Sequence, residues 1–370
     1  MDLSRILLAC AIVQAFVAVG VARYRRDGTV VDVLIGAFAA GCFFIFAAVI
    51  LTITNGLDFF GVVHLTYLSL VVTIPVAALL LAAPHWRDVE YRTPLLMVAL
   101  TGIAFLLIGI GVWATHIEPW RLRVDELGLG ATGVAQPFVV GVLADLQTTS
   151  IGEHEQAAVD MIVAGEPNFI LIPGDVSQFE RPMTAAEKGE FIGLLRQLTE
   201  SAELVAIVPG NTDLLSDLQE IATSIGALLL TDDFVSANVA GQEITIVGID
   251  EPVGNEIIDD AMLDRIGTLT EDQIVVATSH RPDPILLFGE DLAVDLFVAG
   301  HTHGGQVSLP FIGPVLTASD IPKEVASGGL HLVNGHPTYI STGVGLERGQ
   351  APQIRFGVRP SVALITIVPS

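Results

Sequence analysis

The chain has 370 residues, of which 51% are hydrophobic, and it carries 41 acidic against 17 basic side chains, for a formal net charge of −24. This charge disfavours nucleic-acid binding through a basic face and strong adhesion to anionic lipid headgroups, so no nucleic-acid partner is expected. The two cysteines, Cys10 and Cys42, both fall in apolar runs, so no disulfide framework is expected.

Residues 1–117 contain four apolar runs, and charged residues are nearly confined to the gaps between them. A helix of about 20 apolar residues crosses a bilayer, whereas four soluble helices apolar on all sides would need a very large core. We therefore predict an anchor of four transmembrane helices over residues 1–117. The runs are residues 5–22, 31–53, 59–83 and 94–115.

Arginine placement predicts the orientation of this anchor, because cytoplasmic loops are enriched in Arg and Lys. The gap after the second run has no arginine, and Arg121 and Arg123 follow the fourth run and oppose the trend. Both termini and the soluble domain are expected outside the cell, in a multi-pass cell-membrane protein. The gaps after the first and third runs contain Arg23, Arg25, Arg26, Arg87 and Arg92.

The soluble part is strongly acidic. Residues 118–370 carry 35 acidic and 11 basic side chains, of which only Lys188 and Lys323 are lysines. Because salt screens self-repulsion, we expect a halophilic source, and the alternative is an ordinary acidic domain. Residues 118–136 are interpreted as a linker, and residues 137–370 are numerous enough to bury a core.

Five apolar runs in this domain each end in an abrupt polar tip, which is typical of buried strands that deliver side chains to their carboxyl ends. Ligands bind at that end in layered α/β folds. Oxygen and imidazole donors suit Mn, Fe or Zn, although histidines at a strand end can also be solvated loop residues. The tip residues are Asp145, Gln147, Asp175, Asn211, His280, His301 and His303.

In this order the tips resemble the motifs of the calcineurin-like metallophosphoesterases. Asp145-Leu146-Gln147, Gly174-Asp175, Gly210-Asn211-Thr212, His280 and Gly300-His301-Thr302-His303 are similar to the family's DxH, GD, GNH, isolated His and GHxH. The run 300–306 is most similar to the membrane-associated bacterial and archaeal branch. The resemblance covers residues 137–370 and implies a four-layer α/β/β/α sandwich.

The resemblance also implies two divalent cations bridged by Asp175. One would be held by Asp145, Gln147, Asp175 and His303, and the other by Asp175, Asn211, His280 and His301. Cations about 3.5–4 Å apart can bind both the attacking and the phosphoryl oxygens, so a bridging water would attack and no Ser or Cys nucleophile is required. The catalytic residues implied are Asp175, Asn211, Thr212 and His280.

Two positions depart from the family pattern. Gln147 replaces an imidazole ligand by an amide oxygen, which favours Mn²⁺ over softer metals. Thr212 replaces a histidine that stabilises phosphoryl charge or protonates the leaving group, a step contributing roughly 10²–10⁴-fold. His154 is a candidate replacement, and its alternative is a surface histidine. An acidic leaving group, such as a second phosphate, would need the lost acid least.

The predicted function is therefore membrane-anchored, metal-dependent hydrolysis of a phosphodiester, pyrophosphate or phosphomonoester. The substrate would be a phosphorylated small molecule or a lipid headgroup. The alternative is a catalytically weak membrane receptor or structural module that binds metal or phosphate.

Further positions in the domain carry more ordinary predictions. Asp213 is expected to cap a helix beginning near Leu214. Arg348, Arg355 and Arg359 are expected to form surface salt bridges with the acidic domain, with phosphate contact as the alternative.

Overall fold

A computed structural model describes residues 3–24, 30–87, 94–250, 258–270 and 272–370. These residues belong to two compact units, one of Met1–Ile117 with Glu347–Gln353 and the other of Glu118–Leu346 with Ile354–Ser370. Arg25, Arg26 and Arg92, which enter the predicted orientation, lie outside the described residues.

The first unit is mainly helical. Four continuous helical stretches of the described chain are long and apolar enough to cross a membrane. They are Leu3–Tyr24, Val30–Asn55, Phe59–Ala83 and Leu95–Trp120, in the positions of the four apolar runs. The last two stretches each contain a π-helical segment, Ser69–Thr73 and Trp113–Ile117. The α-helices are α1 (Leu3–Tyr24), α2 (Val30–Asn55), α3 (Phe59–Leu68), α4 (Ile74–Arg87) and α5 (Pro94–Val112).

A buried glutamine links the helices of this unit. The Gln14 side chain donates to the Ala40 carbonyl at 3.1 Å, and its oxygen accepts from the hydroxyls of Ser69 and Thr73 at 2.9 and 3.2 Å. Both ends of the amide are thus satisfied inside an apolar bundle, as burial of a polar group requires. The contacts are those of a structural residue.

The second unit contains two six-stranded sheets and one short hairpin. Within the sheets most strands are five or more residues long, and the hairpin strands have two residues each. The strands are β1 (Arg123–Ala131), β2 (Phe138–Val142), β3 (Phe169–Pro173), β4 (Leu204–Val208), β5 (Leu228–Leu229), β6 (Asp233–Val239), β7 (Gln242–Ile249), β8 (Ile274–Ser279), β9 (Leu296–Ala299), β10 (Ser308–Leu309), β11 (Gly313–Pro314), β12 (Gly329–Val333), β13 (His336–Ile340) and β14 (Ser361–Pro369).

Both sheets are mixed. The first has the order β1-β14-β2-β3-β4-β5, and the second has the order β12-β13-β9-β8-β7-β6. Strands β2 to β5 run parallel, as do β7, β8, β9 and β13, so their carboxyl ends meet at one edge of each sheet. Every residue of β3 and β8 is buried, which explains why these strands are continuously apolar apart from the Thr and Ser that end β8.

The sheets pack face to face with helices outside them. Phe138 and Phe169 of the first sheet and Tyr339 and Val298 of the second belong to one buried cluster. The outer layer on the first sheet is α6 (Glu153–Ala164), α7 (Ala185–Ser201) and α8 (Leu215–Ile225), and that on the second is α9 (Asp260–Ile266) and α10 (Lys323–Ala326). The predicted four-layer α/β/β/α sandwich is confirmed.

The structure differs from the prediction of a linker at residues 118–136. Strand β1 occupies Arg123–Ala131 and pairs in parallel with β14 along nine residues. The physical reason is an alternation with a period of two, in which Leu127 and Leu129 pack on the core while the intervening residues are exposed. The glycines at 128 and 130 concealed this pattern.

Candidate metal centre

Strands from both sheets deliver the predicted ligands to one place. Asp145 follows β2, Asp175 follows β3 and His280 follows β8, and all three are buried. One potential ligand atom from each lies within 4.8 Å of the others. The carboxyl edges of the two packed sheets therefore meet around a common acidic and imidazole cluster.

Asn211 and His301 join this cluster from the ends of β4 and β9. The side-chain oxygen of Asn211 lies 2.9 Å from both His280 Nε2 and His301 Nδ1, and the two nitrogens are 3.1 Å apart. Asp175 Oδ2 lies 3.4 Å from His280 Nε2. Metal–ligand bonds of about 2.0–2.2 Å place neighbouring donors about 3 Å apart, so this spacing fits a shared cation.

The backbone sets the tautomer of His280. Its Nδ1 lies 3.0 Å from the carbonyl oxygen of Pro173, which can only accept a hydrogen bond. The proton is therefore on Nδ1, and the lone pair of Nε2 faces Asn211 and Asp175. A ring held by a carbonyl in this way is the usual arrangement of a metal-ligating histidine.

His303 lies on the other side of the cluster. Its Nε2 is buried, has no hydrogen-bond partner among the described residues, and lies 3.9 Å from Asp145 Oδ1. An unsatisfied buried polar atom is costly, and a cation beside Asp145 would satisfy it. Burial, followed by the charge of Arg355, holds the pKa of His303 well below its usual range, which favours the neutral form that binds metals.

Gln147 is fully buried between the same loops. Its backbone N–H donates to the Asp175 carbonyl at 2.8 Å, so this position is tied directly to the predicted bridging residue. Asp145 is tied to the histidine motif in turn, because the backbone N–H of His301 donates to Asp145 Oδ1 at 2.8 Å.

The cluster concentrates backbone strain. Five of its members have positive φ angles between 41° and 68°, a region that L-residues other than glycine seldom adopt. Each such residue costs on the order of 1–3 kcal/mol, and strain of this kind collects at functional sites. The five are Asp145, Gln147, Asp175, His301 and His303.

Two motif glycines leave room for the carboxylates. A Cβ at Gly210 would overlap the Asp175 backbone nitrogen and carboxylate, and a Cβ at Gly300 would lie 2.5 Å from Asp145 Oδ2. No side chain fits at these distances. The glycines that precede Asn211 and His301 are thus explained by close approach between loops of different strands.

Thr212 is hydrogen-bonded to its neighbours through both its backbone and its side chain. Its backbone N–H donates to Asp175 Oδ1 at 2.8 Å, and its hydroxyl donates to the Ser177 carbonyl at 2.8 Å. His154, the candidate replacement for the missing histidine, lies with Nε2 3.1 Å from the Val344 carbonyl and its ring edge-on to Trp120.

Two residues that hold the site in place escaped the sequence prediction. Asp213 does not cap α8, whose N-cap is Leu214. Its carboxylate accepts from the backbone N–H groups of Gly210, Val176 and Ser177 at 2.9–3.2 Å. Asp213 thus joins the loop that carries Asp175 to the loop that carries Asn211, a role that no local pattern indicates.

Arg355 is the second residue that holds the site in place and that the sequence prediction missed. The prediction of a surface salt bridge is wrong for this residue, because its side chain is fully buried and donates to the carbonyls of Thr342, Gly343 and Gly345 at 2.6–3.1 Å. A terminal nitrogen lies 3.4 Å from His303 Nδ1. Burial lowers the pKa of Arg355 to about 9. The only sequence signal was its place between two apolar neighbours, Ile354 and Phe356.

Among the residues that the structure describes, Arg359 likewise bonds to backbone rather than to acidic side chains. Its guanidinium donates to the carbonyls of Arg121 and Leu122 at 2.8 and 3.0 Å, so the surface salt bridge predicted there is replaced by a contact that fixes the start of β1.

The fold and the cluster define a metal-dependent phosphoester hydrolase. The model of the calcineurin-like phosphoesterase family matches residues 138–305, so this part of the chain is a calcineurin-like phosphoesterase domain.

Several known proteins are similar to the chain. It is 27% identical to the metallophosphoesterase YkuE of Bacillus subtilis, over 69% of this chain and 88% of that protein. It is 24% identical to the phosphodiesterase YaeI of Escherichia coli, over 63% of this chain and 83% of that protein. A dimetal phosphatase structure from Danio rerio aligns with 56% of this chain and 88% of its own, at 15% identity and a TM-score of 0.35.

Proposed function

We propose that the protein is a membrane-anchored, dinuclear metal-dependent phosphoesterase. The observation that carries the proposal is the convergence of buried carboxylates, an amide and imidazoles at the carboxyl edges of two packed sheets. Residues 1–117 would form the anchor, and the phosphoesterase domain would begin at Glu118 and include β1.

The donor set supports two cation sites that share Asp175. Asp145, Gln147 and His303 would complete one, and Asn211, His280 and His301 the other. Two divalent cations held there would supply positive charge to the phosphoryl oxygens and acidity to the attacking water. The mixture of oxygen and imidazole donors, with Gln147 in place of an imidazole, favours Mn²⁺, with Fe or Zn as alternatives.

Thr212 holds other groups in position and does not donate a proton. The Thr212 backbone N–H holds Asp175, and the Thr212 hydroxyl is directed to the Ser177 carbonyl. A threonine hydroxyl is not a useful acid at neutral pH. The substrate that fits best is therefore a pyrophosphate or an activated diester whose leaving group needs no proton, carried by a phosphorylated small molecule or a lipid headgroup.

The experiment is a metal titration of the full chain in detergent. Metal-dependent hydrolysis of chromogenic diester, monoester and pyrophosphate substrates is expected with Mn²⁺, at both low and high salt. Asp175→Asn should abolish turnover and weaken metal binding at both sites, whereas Asp264→Asn, at an exposed position in α9, should do neither. If the protein binds metal but hydrolyses none of these substrates, the proposal that it is an enzyme is wrong.

A specific observation favours a second candidate, a catalytically weak receptor that binds metal or phosphate. The position of the family histidine is filled by Thr212, and its hydroxyl is already hydrogen-bonded. Metal binding measured by calorimetry, with no hydrolysis of any substrate class, is the outcome expected of this candidate.

We further propose that the anchor spans the cell membrane with the catalytic domain outside. Four helices of sufficient length and apolarity support the anchor, and the excess of arginine in the first and third gaps supports the orientation. A tag after Ser370 should be accessible to protease in intact cells. Accessibility only after the cells are opened would reverse the orientation.

A further inference from the structure

The hairpin β10–β11 presents apolar side chains to solvent. Ser308 pairs with Pro314 and Leu309 with Gly313, and the turn between them carries Phe311 and Ile312. Phe311 is fully exposed and Ile312 is 69% exposed. Val315, Leu316 and Leu309 add further exposed apolar surface at the same place.

The base of this hairpin is hydrogen-bonded to the rest of the domain, and the segment that follows it contacts the candidate metal centre. The Ser308 N–H donates to the Phe356 carbonyl at 2.8 Å, and the Val315 N–H donates to the Val307 carbonyl at 3.0 Å. After the hairpin, the carbonyl of Ala318 lies 3.1 Å from His301 Nε2. The exposed tip thus belongs to a segment whose far end, at Ala318, contacts a predicted ligand.

The tip conformation keeps the phenylalanine outside. Phe311 has a φ angle of 67°, which is strained for a bulky residue. The chain therefore carries both a strained backbone and an aromatic side chain in water at one position. Strain of this kind persists only where the surrounding structure imposes it.

The hairpin and the residues beside it also carry no charge. Residues 306–318 contain no Asp, Glu, Lys or Arg, in a domain with 35 acidic side chains. An acidic surface is repelled by anionic headgroups, so an uncharged apolar tip can enter a lipid surface more readily than the acidic surface of the domain. Interfacial binding to lipid scales with the apolar area that is buried and has no minimum area, whereas a stable protein interface needs about 800 Å² from each partner.

We propose that the β10–β11 hairpin inserts Phe311 and Ile312 into the interfacial region of a lipid bilayer. The inference rests on the proposed membrane anchor, because a domain covalently tethered to the bilayer meets lipid at high effective concentration. Insertion would bring lipid headgroups close to the element that carries His301 and His303.

The test uses the full chain in lipid nanodiscs with an environment-sensitive fluorophore on a single cysteine. Phe311→Cys and Ile312→Cys, each combined with Cys10→Ala and Cys42→Ala, place the probe at the tip. Leu332→Cys in the same background is the matched control, since Leu332 is an exposed apolar residue on β12 with 72% exposure.

Probes at 311 and 312 should show blue-shifted emission that is lost in nanodiscs whose lipids carry a spin label on the acyl chain. The probe at 332 should show the emission of a fluorophore in water, and the spin-labelled lipids should not quench it. Adding Ile312→Asp to the Phe311→Cys variant should remove both signals. Water-like emission at 311 and 312 would overturn the proposal, and so would a blue shift without lipid quenching, which would indicate a protein partner or a second copy.

The same nanodiscs separate this inference from the membrane anchor. A probe on the natural Cys42, an exposed residue of α2, with Cys10→Ala reports on the proposed spans. Quenching at Cys42 without quenching at the hairpin would overturn the hairpin proposal and leave the anchor intact. Without quenching at Cys42 the anchor is wrong, and the probe at 311 still decides the hairpin on its own.

Discussion

The carboxylate of Asp213 accepts the backbone N–H of Ser177 at 2.9 Å, across two loops that follow different strands. The same carboxylate also accepts the N–H groups of Val176 and Gly210. Three backbone donors thus converge on one partly buried side chain between Asp175 and Asn211. Burial and the nearby charge of Asp175 raise the pKa of Asp213 above its ordinary value.

Asp213→Asn should therefore weaken metal binding without removing a predicted ligand. The amide of Asn would turn its own donors toward some of these N–H groups, and each buried N–H left unpaired costs about 1–3 kcal/mol. Calorimetric titration with Mn²⁺ measures the loss. Asp272→Asn, an exposed carboxylate elsewhere in the domain, should bind metal as the wild type does. Equal affinities for the two variants would contradict the role of Asp213.

Arg355→Lys should destabilise the domain although it retains the charge. The planar guanidinium of Arg355 donates to the carbonyls of Thr342, Gly343 and Gly345. The single ammonium group of a lysine cannot reach all three. Each carbonyl left unpaired costs about 1–3 kcal/mol, so a loss of several kcal/mol in the free energy of unfolding is expected in urea. Arg196→Lys, at an exposed site in α7, should change this free energy by less than about 0.5 kcal/mol.

Gly300→Ala should weaken metal binding at the proposed site that contains Asp145, while the rest of the domain stays folded. Its new Cβ would lie 2.5 Å from Asp145 Oδ2, so the carboxylate must move. Gly193→Ala is the control, because nothing lies within 4 Å of a Cβ there, and helix propensity should raise stability by about 0.5–1 kcal/mol. Metal titration and thermal unfolding of both variants measure the contrast. Normal metal affinity in Gly300→Ala would show that Asp145 is not a metal ligand.

Thr212→His should accelerate substrates with poor leaving groups. It restores a group that can donate a proton, a contribution of roughly 10²–10⁴-fold where it is fully realised. The increase in kcat should be larger for an alkyl ester than for a nitrophenyl ester. Thr212→Ser, which keeps the hydroxyl that binds the Ser177 carbonyl, should retain wild-type rates on both. An equal effect of the histidine on the two esters would argue against a missing acid.

The first turn of α7 should lose stability in acid. Hydrogen bonds from Arg181, followed by those from Thr184, lower the pKa of Glu187 from 4.5 to about 2. Because the unfolded chain binds the proton more readily, this stabilisation is complete above pH 4.5 and falls as the pH drops toward 2. Amide hydrogen exchange at the start of α7 should show the loss. Glu187→Gln should abolish that pH dependence, and Glu190→Gln should preserve it.

The strand tips could be predicted because each combines a continuous apolar run with an abrupt polar end, which is a local pattern. Asp175 and His280 were placed correctly at strand ends for this reason. The four apolar helices follow from composition and length alone. The assignment of individual ligands to two cations stays a prediction.

What could not be predicted depends on contacts between distant segments. The pairing of β1 with β14 joins residues far apart in the chain, and its glycines made the segment look like a linker. Asp213 and Arg355 act on backbone groups of other loops, so their roles depend on tertiary approach that residue type does not encode. An aspartate before a helix usually caps that helix, whereas Asp213 bonds to the backbone N–H groups of neighbouring loops instead.

The position of β14 has a consequence for synthesis of the domain. This strand lies between β1 and β2, so the first sheet is interrupted until residues 361–369 have been made. On the ribosome, β1 has no neighbour in the sheet and β2 exposes an open edge throughout the synthesis of the other strands. Such an edge invites mispairing, and any nascent chain halted before β14 should be recognised by chaperones and proteases.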